Sequence, residues 1–102
     1  MSGLTCEIVL THDADDKILE IIDAHLDQAV ADLQRTRKGR VWRGSIVGSG
    51  SLNVWAENAR DDEPPAIRFA AGCSSAEDYA TLRTLSQAIV ELIGGVATEP
   101  SK

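Results

Sequence analysis

Apolar residues occupy every second position from Leu4 to Leu10, with Thr5, Glu7 and Thr11 on the other parity. That period of two predicts a half-buried strand over residues 4–11. The period then lengthens. Ile18, Leu19, Ile22, Leu26, Ala29, Val30 and Leu33 fall at three- and four-residue steps, the apolar stripe of an amphipathic helix. Asp13 or Asp15 is its expected N-cap, and the pattern predicts that it runs to about Arg37. Acidic residues crowd its start and Arg35, Arg37 and Lys38 its end, the order a helix dipole prefers. Gly39 is the expected residue beyond the C-cap.

Residues 40–58 read as a hairpin, with Ser49-Gly50 as the turn signal. Pairing Val47 with Leu52 sets an expected register. Trp42, Ile46 and Trp55 then share one face, and Leu52, Val54 and Ala56 the other. Residues 59–65 form a polar loop closed by Pro64-Pro65. A strand is expected over residues 66–72, with Ile67, Phe69 and Ala71 on one side. A second helix follows, capped by Ser74 with Glu77 and apolar at Tyr79, Leu82, Leu85, Ile89, Leu92 and Ile93. Gly94-Gly95 end it, and residues 96–102 are expected to be a flexible tail.

The expected order is therefore β-α-β-β-β-α in one α+β domain over residues 1–102. The simplest assembly is a two-layer sandwich, a four-stranded, mainly antiparallel sheet with two helices on one face. Aromatics make up only 4% of the 102 residues, so aliphatic side chains and alanine must fill the core.

Charge narrows the function. The formal net charge is -6, which repels nucleic-acid and membrane surfaces and suits a basic protein partner. The basic stretch Arg35 to Arg43 is the one feature that favours nucleic acid, and a helix end already accounts for Arg35, Arg37 and Lys38. No run approaches the roughly 20 apolar residues of a membrane span. Two cysteines, Cys6 and Cys73, are too few for a disulfide scaffold, and a cytoplasmic location is expected.

Two surfaces stand out. Trp42, Ile46 and Trp55 are expected on the sheet face away from the helices, with Arg43 at the rim, as an interface for a second copy or another protein. Asp16, Glu20, Asp23 and Asp27 step by four, three and four, a carboxylate row on the first helix. It is either a solvated face or a docking strip for a basic partner. The expected function is a non-enzymatic protein-interaction module, of the immunity-, chaperone- or inhibitor-like kind, acting as a homodimer. The alternative is a small enzyme with Cys73 as nucleophile at a helix N-terminus and His12 as its base. His12, Asp13, Asp15 and Asp16 lack the spacing of a calcium or zinc site, so no metal or cofactor is expected.

Overall fold

The computed structural model describes residues 3–36, 39–45, 50–72 and 76–101. The opening alternation forms β1 (Leu4–Val9), with Leu4, Cys6 and Ile8 buried. Asp15 caps α1 (Asp16–Ala29) by accepting the Ile18 amide at 2.9 Å. The helix ends at Ala29 and not near Arg37. Val30 is already extended, and residues 31–36 form β2 (Ala31–Thr36), antiparallel to β3 (Val41–Ser45).

Tertiary pairing decides that break. Asp23 and Arg35 are twelve residues apart, so a continuous helix would hold them roughly 18 Å apart along its axis. Folding back as a strand lets Arg35 donate to Asp23 and, at 2.8 Å, to Asp27. It also gives backbone partners to β3, which would otherwise be the sheet edge. The register slips between Ala31 and Gln34, where Asp32 takes φ of 54°, a bulge at a residue type that tolerates the left-handed region. Arg35 and Arg43 therefore lie on paired strands at the sheet edge and not at a helix terminus, while Arg37 and Lys38 fall outside the described residues.

β4 (Ser51–Glu57), β5 (Ala66–Ala71), α2 (Ala76–Ile93) and β6 (Val96–Ala97) complete the chain. Among the described residues the sheet has six strands in the order β2-β3-β4-β5-β1-β6, every neighbouring pair antiparallel. Four strands were expected. The two extra ones come from the end of the first helical pattern and from the presumed tail. That tail lies along β1, with the Thr98 and Ser101 amides donating to the Glu7 and Thr5 carbonyls at 2.8 and 3.0 Å.

One core joins these elements. Ile8 of β1, Val54 of β4, and Ile67 and Phe69 of β5 pack with Leu19, Ile22 and Leu26 of α1 and Leu82, Leu85 and Ile89 of α2. Leu92 and Tyr79, expected on the apolar face of α2, are exposed. No helix among the described residues is long and apolar enough to cross a membrane.

Candidate interaction surface

The hairpin register decides which side chains face this core. Leu52 pairs with Gly44 and not with Val47, and Val54 pairs with Trp42. The slip from position 47 to 44 is odd, so it moves every β3 side chain to the other face relative to β4. Trp42 therefore lies on the core side, 1% exposed, with its indole N–H donating to Asp23 Oδ1 of α1 at 2.9 Å. The expectation that Trp42 lies on the uncovered face is corrected: α1 sits over it. Ile46 falls outside the described residues. Arg43, across from Asn53, shares the face of Trp55.

Trp55 does point away from the core. It is half-buried, between the core-facing Val54 and the partly buried Ala56. Cross-strand pairing aligns Val41, Trp55, Arg68 and Glu7 in one row across β3, β4, β5 and β1. The Trp55 N–H donates to Glu57 Oε1 at 2.7 Å, and Arg68 Nε lies 3.2 Å from Glu57 Oε2. Arg68 also donates to Glu7 at 3.2 Å and reaches Glu63 at 4.0 Å. The Trp55 hydrogen bond, helped by Arg68, holds the Glu57 carboxyl below its ordinary range. Burial works against the charge of Arg68, but Glu57, Glu7 and Glu63 outweigh it and raise its pKa. The ring is thus pinned at its N–H edge by a carboxylate that Arg68 also holds. A cavity of about 420 Å³ opens beside it, lined by Thr5, Glu7, Trp55, Arg68, Thr98 and Ser101 among others.

The network around Arg68 was not anticipated. Its signal was the alternation of residues 66–71, which puts Arg68 opposite in face to Ile67 and Phe69.

The acidic row is only half free. Asp16 and Glu20 are exposed, whereas Asp23 and Asp27 hold Arg35. The Arg35 hydrogen bond lowers the pKa of Asp23, with a further contribution from the Trp42 N–H. A carboxyl lowered in the folded state stabilises the fold above its unfolded pKa. That stabilisation is lost as pH falls through the folded value. Urea midpoints should therefore fall as pH drops below about 4, the ordinary aspartate range. Asp23→Asn should flatten part of that slope, and an unchanged slope would remove Asp23 from the acid response.

The alternative catalytic pair is not assembled among the described residues. Cys73 lies outside them. His12 is exposed, its Nδ1 3.0 Å from the Asp13 carbonyl oxygen. Asp13 accepts the Ala59 amide at 2.7 Å, so the aspartates after β1 serve as backbone ties. The Cys6 thiol is free and buried in the core, and burial pushes its pKa up to about 11. No group of metal-ligating side chains occurs among the described residues. A second cavity, about 380 Å³ and mostly apolar, lies between the helices beside His25, Val30, Thr84, Leu85 and Ala88. Comparisons with family models, curated proteins and solved structures find no match to the chain.

Proposed function

We propose that the chain is a non-enzymatic protein-interaction module that associates with a second copy of itself through the sheet face bearing Trp55. In this reading the helices and sheet form two layers, and the helices leave that face uncovered. One observation carries it: Trp55 sits mid-sheet, away from the core, with its indole held by Glu57. A large ring fixed in orientation loses little conformational freedom on docking, which is why tryptophan is enriched at binding hot spots. The same face carries both signs of charge, Arg43 and Arg68 with Glu7, Glu57 and Glu63. A two-fold pairing sets a patch against itself, so mixed signs allow the two copies to match. A free, buried Cys6 accords with a reducing compartment such as the cytoplasm.

Light scattering on wild type and Trp55→Asp tests this. The expected result is a wild-type dimer of the 10.9 kDa chain that the substitution splits into folded monomers. Trp42 emission from its buried site reports that the fold survives. A monomeric wild type, or a dimer indifferent to the substitution, would overturn the reading. In the first case, a salt-sensitive complex with a basic protein would point to Asp16 and Glu20 instead.

A further inference from the structure

The β1 edge of the sheet borders the Trp55 face, and Thr98 and Ser101 line the cavity beside that ring. Residues 96–101 run along that edge after a reversal at Gly94 and Gly95, with φ of 83° and 96°. Glycine passes between positive and negative φ with little steric penalty, so this pair is a natural hinge. Closed, the hinge is tight: a Cβ on Gly95 would lie 2.6 Å from the Val9 carbonyl oxygen.

What holds the segment down is short and lies at the surface. β6 spans two residues, and Val96 is 69% exposed. Beyond it, Thr5 donates to the Ser101 carbonyl at 2.8 Å, and Glu7 donates to the Thr98 hydroxyl at 3.0 Å. Glu99 is clasped by the Tyr79 hydroxyl at 2.7 Å and by Arg83 at 3.1 Å, all three exposed. Exposed ion pairs of this kind contribute little to stability. Only Ala97, packed against the core, and Pro100, which is buried, tie the segment inward. Weakly held surface segments open well below the free energy of global unfolding.

We propose that residues 96–101 are a strap that opens on the Gly94–Gly95 hinge and exchanges between two copies of the chain. Each strap then completes the β1 edge of the other copy. The edge itself argues for a second copy. It is fitted to this sequence, with Thr98 placed for the Glu7 amide and Glu99 placed for Tyr79. The same segment from another copy makes the same bonds, so exchange needs no new interface beyond the extended hinge.

Amide hydrogen exchange on the full-length chain tests the opening. Thr5, Glu7, Thr98 and Ser101 are expected to exchange as one group, at least about tenfold faster than the β4–β5 ladder. Glu99→Ala should accelerate that group severalfold and leave β4–β5 unchanged. Strap amides as slow as the ladder would overturn the proposal. Deleting Gly94 and Gly95 removes the return turn, so the variant should be dimeric by light scattering and remain so with Trp55→Asp. A folded monomer at every concentration would overturn the exchange. Persistence of the dimer in Trp55→Asp separates the strap from the face, because only a face dimer needs that ring.

Discussion

Trp42→Ala is expected to destabilise the protein by about 3–5 kcal/mol, the cost of deleting a large buried aromatic ring. The side chain is 1% exposed and pairs across the sheet with Val54, under α1. A domain of this size has a net stability of roughly 5–15 kcal/mol, so the variant should lie close to its unfolding transition. Truncation also removes the N–H that Asp23 accepts at 2.9 Å. Trp42→Phe separates the two effects. It keeps most of the ring and loses the hydrogen bond, whose net worth to a carboxylate is about 1.5–3 kcal/mol. Urea denaturation followed by far-UV circular dichroism measures both. A loss below about 1 kcal/mol for Trp42→Ala would fall outside the range for buried aromatics and place the ring at the surface. Trp55→Ala is the natural control, with a much smaller expected effect on monomer stability because its ring faces away from the core.

Gly44→Val carries the second large effect. A Cβ at Gly44 would lie 2.2 Å from Val30 Cγ1 and 2.8 Å from the Ala31 carbonyl oxygen. The first neighbour is a side chain that could turn. The second is backbone, held where β2 leaves α1, and it cannot yield without shifting the strand. Overpacking of this kind costs about 1–3 kcal/mol, which for a chain of this length lowers the melting temperature by roughly 5–20 °C. Gly39→Ala is the contrast. Its φ is 78°, but nothing lies within 4 Å of the added Cβ. Only the backbone penalty of about 1 kcal/mol should appear there. Thermal melts of the two variants distinguish a steric requirement for glycine from a conformational one. Equal shifts would contradict the packing at Gly44.

Trp42 and Gly44 also separate what alternation within a strand dictates from what pairing between strands decides. Leu52 and Val54 share one face of β4 and Ile67 and Phe69 one face of β5, as alternation predicts, and all four are buried, because alternation within a strand is a local property of the pleat. The relation between strands is not local. The turn signal at Ser49-Gly50 suggested Val47 opposite Leu52, and a slip of three positions placed Trp42 on the wrong face. Gly44 is informative in the same way. It accommodates Val30 at the helix-to-strand break, a neighbour that strand alternation does not reveal.

Residues 30–36 depart from the expected helix for a related reason. Val30 and Leu33 extend the helical stripe, yet Ala31, Leu33 and Arg35 also alternate. Short segments of this kind have no strong preference of their own, and an available partner strand decides. β3 supplied that partner, and Asp23 and Asp27 supplied a destination for Arg35. The pairing of the tail with β1 has no signal in the sequence, because residues 96–101 carry almost no apolar pattern. Their order comes from the unpaired groups of β1, which no composition rule reveals.

By itself, the amino-acid sequence determined the α+β class, two amphipathic helices, the buried face of each of the strands β1, β4 and β5, and a formal net charge of -6. Each follows from periodicity or composition, which act within one segment. Only the tertiary structure decided the six-strand order, the hairpin register and the separation of Trp42 from Trp55 onto opposite faces. Those depend on which backbone donors and acceptors meet across the chain, and a single-residue change in that meeting reverses every side chain on a strand.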